Sequence, residues 1–181
     1  MPADRGISDG AIRVRHAKPA DAAGMAQVHV AAWRTAYVDL LAAEVLDGLD
    51  VSRSRERWAT ILFAPPEGSR RLVAVTEDDT VCGMSALGAP RSSEPEGTGE
   101  LWMLNVSPDW WGQGVGAALL RAAERELTTL GYWRAVLWVL TGNTRARRFY
   151  QREGWTDSGA RRQDPGLAGT PDEVQYAREL G

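Results

Sequence analysis

The chain has 181 residues, 44% apolar and 25% charged. At roughly 150 residues per domain this describes one globular domain and argues against disordered, fibrous and two-domain classes. The 24 acidic and 21 basic residues leave a net charge of -3 with no basic block, which argues against general nucleic-acid binding. No window approaches the roughly 18 to 20 apolar residues of a membrane-spanning helix, so no membrane partner and a cytoplasmic location are expected. Cys82 cannot make an internal disulfide, and with His16 and His29 it offers too few soft ligands for a zinc-type site, so no metal is expected. Lys18 is the only lysine, and no glycine-rich turn ends in Gly-Lys-Ser/Thr, which removes a P-loop.

Residues 1–10 read as a flexible N-terminus and residues 11–181 as one domain without internal repeats. Ile12-Arg13-Val14-Arg15 alternates as a strand does, and Lys18-Pro19-Ala20-Asp21 starts a helix expected over residues 20–37. Residues 44–62 read as helical, with Ser52 as an N-cap and Pro65-Pro66 as the stop. The period then changes to two: Leu72-Val73-Ala74-Val75 and residues 81–87 flank the turn Glu77-Asp78-Asp79-Thr80 as a hairpin. A further strand is expected over residues 100–106. A helix follows over residues 113–130, with Leu119, Ala123, Leu127 and Leu130 on one side and Gly131 closing it. Residues 132–140 are apolar almost throughout, as in a strand covered on both faces. A short helix over residues 144–152 and strands near residues 155–158 and 173–178 complete the chain. The order β-α-α-β-β-β-α-β-α-β-β implies a mixed, mostly antiparallel α/β sheet of about seven strands with helices on both faces.

The most informative segment is Val106-Ser107-Pro108-Asp109-Trp110-Trp111-Gly112-Gln113-Gly114-Val115-Gly116-Ala117, a strand passing through a glycine-rich turn into a helix. Such a turn presents unpaired amides at a helix N-terminus, where the dipole favours an anionic phosphate. The alternative is a tight turn using glycine only for positive φ. A dinucleotide-binding turn, G-x-G-x-x-A, is also satisfied. However, five residues (107–111) separate the strand from the first glycine, and no acidic residue ends the next strand near Leu140.

The turn resembles motif A of the GNAT superfamily of acyl-CoA-dependent N-acyltransferases, Q/R-x-x-G-x-G/A, with Trp111 in the Gln/Arg position. Residues Asn143-Thr144-Arg145-Ala146-Arg147-Arg148-Phe149-Tyr150-Gln151-Arg152-Glu153-Gly154-Trp155 resemble that family's N-x-x-A-x-x-x-Y-x-x-x-G-F/W segment. The resemblance implies a GNAT-like fold and acetyl-CoA as co-substrate. It places the pantetheine against the backbone of Leu104, Asn105 and Val106, and the pyrophosphate on Gly112, Gln113, Gly114, Val115, Gly116 and Ala117. It further implies that Tyr150 serves the departing thiolate and that Asn143 contacts CoA, a residue that reads equally well as an N-cap.

An ammonium acceptor has a pKa near 10, so its proton must leave before nitrogen can attack. Some members of the family carry a glutamate as general base where Glu100 stands. Glu100 would share a face with Trp102, Leu104 and Val106 if no bulge intervenes, and a solvated carboxylate at the strand edge is the alternative. Trp33 and Tyr37 share a helix face and either line the acceptor pocket or belong to the core; His29, four residues earlier, reads as a packed histidine. Cys82 has no paired histidine and reads as non-nucleophilic. The expected activity is acetyl transfer to a primary amine of a small molecule in a ternary complex, by a monomer or homodimer. Peptide or protein N-terminal or lysine acetylation, and a non-catalytic acyl-CoA-binding module, are the alternatives.

Overall fold

A computed structural model describes residues 12–163 and 171–181. The N-terminus read as flexible and residues 164–170 lie outside the described residues. In chain order the strands are β1 (Arg13–His16), β2 (Arg70–Val75), β3 (Val81–Gly88), β4 (Thr98–Val106), β5 (Arg134–Leu140), β6 (Thr156–Gln163) and β7 (Asp172–Glu179). The helices are α1 (Ala22–Ala36), α2 (Ala43–Asp47), α3 (Val51–Phe63), α4 (Val115–Thr129) and α5 (Thr144–Arg152), with 3-10 turns at Pro19–Asp21 and Pro108–Trp110. They build one seven-stranded sheet in the order β1-β2-β3-β4-β5-β7-β6.

Two differences from the sequence reading have local causes. The expected helix over residues 44–62 is two helices, and the cap of the second is Asp50 rather than Ser52: the Asp50 carboxylate accepts from the Arg53 amide at 2.7 Å. Helix α4 begins at Val115 rather than Gln113, because the Gln113 side chain donates back to the Asp109 carbonyl at 2.7 Å and keeps its residue in the turn.

Alternation along β2 shows how the sheet divides the core. Leu72 and Ala74 pack with Leu119, Leu120 and Leu127 of α4, whereas Val73 and Val75 pack with Met25 and Val28 of α1 and Trp58 of α3. Helix α4 comes so close to β3 that a Cβ on Gly83 would lie 2.8 Å from Leu119 Cδ1. Fully burying each such Leu, Val or Met contributes roughly 1.5–3 kcal/mol, so both faces are firmly held.

The β3–β4 register shifts, with Ala86 opposite Met103 but Leu87 opposite Leu101. Trp102 is therefore an extra residue, and the face reverses there: Leu101 packs on the α4 side, Met103 on the α1/α3 side, and Leu104 and Val106 on the α4 side again. Glu100, alternating with Leu101, does not share the face of Leu104 and Val106.

Candidate active site

Strands β4 and β5 run parallel, and they pair only where Thr98, Gly99 and Glu100 meet Arg134, Ala135 and Val136. Beyond that point they part, and a cleft of about 890 Å³ opens between them, reaching from α4 to α1 and α3. The β5-facing backbone of β4 thus lacks a ladder partner in the part of the strand that holds Leu104 and Asn105. An extended amide-bearing chain could supply one. At Val106 the carbonyl is already taken, accepting from Trp111 Nε1 at 2.8 Å.

The glycine-rich turn forms one wall. Gly112 and Gly114 have φ of +75° and +79°, a region that L side chains rarely adopt, and this conformation turns the chain into α4. The first amide to reach a carbonyl is that of Ala118, to Gly114 at 3.0 Å, so residues 112–117 leave theirs without a backbone acceptor. Free amides at the start of a 15-residue helix suit an anion. Trp111, in place of the usual Gln or Arg, ties this turn to β4 and carries the Arg145 guanidinium of α5 over its ring at 3.3 Å. A cation therefore stands beside the turn, delivered from another element. The alternating glycines signalled the cradle; only the folded chain brings Arg145 to it.

Tyr150 is buried between Phe149, Trp155 and Tyr176. Its ring belongs to the α4-side core, while the residue lines the cleft. Burial, reinforced by Tyr37, pushes its phenol well above the ordinary tyrosine range, so the hydroxyl remains a donor across the working pH range. Asn143 caps α5, accepting from the Ala146 amide at 3.1 Å, and its side chain also reaches the Tyr37 hydroxyl. Trp33 and Tyr37 meet edge to face at 5.0 Å, and both line the cleft while packing on Leu41 and Leu46. Tyr37 is raised by burial and by nearby Glu173.

The structure places Glu100 apart from these groups. Its side chain has no solvent exposure and accepts three bonds from Arg91: the backbone amide at 2.7 Å, Nε at 3.0 Å and Nη2 at 2.7 Å. Arg91 lines the cleft, whereas Glu100 lies behind it. His29, read from the sequence as packed, also lines the cleft. Its imidazole lies against Asn105 and Trp33, and its Nδ1 has no hydrogen-bond partner. Burial, opposed by the Asn105 side chain and aided by the charge of Arg57, lowers its pKa. Cys82 is buried with its thiol pushed up by burial to about 11, which suits a packing role.

Arg71 and Glu173, which carry no signal in the sequence pattern, also line the cleft. Arg71 is one of two adjacent arginines at the start of a strand, and Glu173 is the second residue of a strand after a glycine- and proline-rich stretch of sequence. Glu173 accepts from Arg162 Nε at 2.6 Å, and Arg162 stacks on Trp138 of β5 at 4.2 Å. Among the described residues there is no group of three or more His, Cys, Asp or Glu side chains arranged to hold a metal, and no helix long and apolar enough to cross a membrane.

The sequence matches the acetyltransferase (GNAT) family profile over residues 23–155. It is 30% identical over 173 residues to the uncharacterized N-acetyltransferase YuaI of Bacillus subtilis, covering 89% of this chain and 94% of that protein. A mycothiol acetyltransferase of Saccharopolyspora erythraea is 37% identical over 100 residues, which are 55% of this chain and 29% of that longer protein. In fold, the chain is similar to the PaiA N-acetyltransferase of Thermoplasma acidophilum, solved with coenzyme A, with a TM-score of 0.72 at 18% identity over 91% of this chain and 97% of that one. YncA of Salmonella typhimurium, solved with acetyl-CoA, gives a TM-score of 0.67 at 23% identity over 94% and 95% of the two chains. With the profile spanning most of the chain and the cleft built as described, the protein belongs to the GNAT family of acetyltransferases.

Proposed function

We propose that this protein moves an acetyl group from acetyl-CoA to the primary amine of a small molecule, by direct attack within a ternary complex. The observation that carries this reading is the parting of β4 from β5 between a free-amide turn and the Tyr150 hydroxyl. The amides of residues 112–117, with Arg145 beside them, suit a pyrophosphate. The unladdered edge at Leu104 and Asn105 suits pantetheine amides, and Asn143 at the cleft wall suits a further CoA contact. Acetyl-CoA supplies the activated thioester.

The remaining chemistry falls to side chains. Tyr150, held protonated, donates a hydrogen bond to the thiolate that departs. An amide of β4 can polarise the thioester carbonyl. His29, whose ring lines the cleft and whose pKa is lowered by burial, takes the ammonium proton before nitrogen attacks. Glu100, the base that the family resemblance implies, instead holds Arg91 against β4 through three hydrogen bonds. A cleft of about 890 Å³ shared by the donor's arm and the acceptor favours a small acceptor walled by Trp33 and Tyr37. Acetyl-CoA-dependent CoA release with a panel of small amines tests the reading. Thermal stabilisation by acetyl-CoA with amine-dependent release is expected; no stabilisation and no release with any amine would overturn it.

A further inference from the structure

The cleft has two charged ends on opposite faces of the sheet. Arg145 and the amide turn serve the α4 face. Arg71 belongs to the other face, since on β2 it alternates with Leu72, which packs on α4, and shares the side of Val73, which packs on α1 and α3. Arg57 is on α3, next to Trp58 of that same core, and its charge reaches His29. Neither arginine can serve phosphates held at the start of α4.

Their pairing sets them apart from the other arginines on this side. Arg91 is satisfied by Glu100, and Arg162 by Glu173. Arg71 has no carboxylate partner among the described residues. Its Nη1 donates to Ser69 Oγ at 2.6 Å, its Nε is covered and unpaired, and its guanidinium lies 5.0 Å from the centre of the Trp102 ring. Arg57 likewise has no acidic partner among the described residues, and both line the cleft. A half-buried guanidinium on an aromatic shelf, with Nη2 unused, offers one charge-assisted donor to an oxyanion. Glu173, already neutralised by Arg162, sets no competing negative charge free on this side.

From this pairing we infer that the acceptor is a primary amine that also carries an anionic group, a carboxylate or a phosphate, held by Arg71 with Arg57 while its amine faces His29 and the thioester. The inference rests on the acetyl-transfer reading above and adds the acceptor's charge. Arg71 is here a specificity-determining residue that touches the acceptor and not the donor.

The test uses the full chain with acetyl-CoA and matched amines: glutamate against glutamine amide, O-phosphoethanolamine against ethanolamine, and spermidine as a cationic control. Acetyl-CoA affinity is measured separately by calorimetry. At least one anionic amine is expected to exceed its neutral partner in kcat/KM by about ten- to a hundredfold, as one charge-assisted contact allows. The carboxylate and phosphate pairs show which oxyanion is used. Arg71→Gln should reduce that preference to within about threefold, chiefly through KM, with acetyl-CoA affinity unchanged; Arg71→Lys should restore part of it. Turnover of neutral or cationic amines as good as that of every anionic one would overturn the inference while leaving acetyl transfer standing. So would a preference that survives both Arg71→Gln and Arg57→Gln. Failure to bind acetyl-CoA would overturn the transfer reading, and this inference with it.

Discussion

Glu100→Gln separates an anchoring carboxylate from a catalytic one. In the native chain the fully buried Glu100 accepts two guanidinium bonds and one amide bond from Arg91. With a neutral amide, the two charge-assisted bonds each lose about 1 kcal/mol. The new NH2 must then face either the Arg91 amide or the guanidinium, both donors, at about 1–3 kcal/mol. Arg91 is 54% exposed, so its freed guanidinium rehydrates and the net loss falls to the lower end, about 2–3 kcal/mol. For a chain of this size that lowers Tm by roughly 5–10 °C. Paired thermal melts and CoA-release assays at a temperature where both proteins are folded check it, with turnover expected to stay within about threefold. A Tm within a degree of wild type, combined with a loss in kcat of about a hundredfold or more, would refute the anchoring role and return Glu100 to general base.

Tyr150→Phe should lower kcat about ten- to a hundredfold with acetyl-CoA affinity nearly unchanged by calorimetry, because the variant loses only the hydroxyl proposed to serve the leaving thiolate. Gly114→Ala forces a Cβ onto a backbone at φ +79° and should cost about 1 kcal/mol, read as a Tm loss of roughly 2–4 °C together with weaker acetyl-CoA binding. His29 has a pKa depressed by burial, so the neutral base persists as pH falls toward the ordinary histidine value. The acid limb of kcat/KM should lie below about pH 6.5. The His29→Gln variant should lose that limb along with most of its rate, and a limb unmoved in the variant would assign it elsewhere. At Asp79, hydrogen bonds from Lys18 and Arg15 hold the carboxyl down to about 2. A depressed carboxylate contributes stability above its unfolded value that disappears as pH falls through the folded one, so this contribution should fade between about pH 4 and pH 2. Asp79→Asn should flatten denaturation midpoints across that window.

Residues adjacent in sequence made much of this protein legible without coordinates. The helix and strand periods, the glycine turn at Gly112 and Gly114, and the spacing from Asn143 to Tyr150 are local patterns, set by side-chain alternation and by φ values that favour glycine. They place all seven strands, although β6 runs on to Gln163, five residues past its expected end. The cap falls on Asp50 rather than Ser52 because neighbouring polar residues compete for one free amide, and geometry selects between them. The roles of Glu100, His29 and Arg71 depended on contacts between distant segments. An extra residue at Trp102 reversed the face of β4, and Arg91, folding back nine positions, took up the Glu100 carboxylate. His29 was indistinguishable from a packed histidine until α1 came to lie over the parting of β4 and β5. A charge's function depends on what neutralises it, and in this cleft that was decided by tertiary packing: Glu100 pairs with Arg91 and Glu173 with Arg162, while Arg71 keeps an Nη2 with no partner among the described residues.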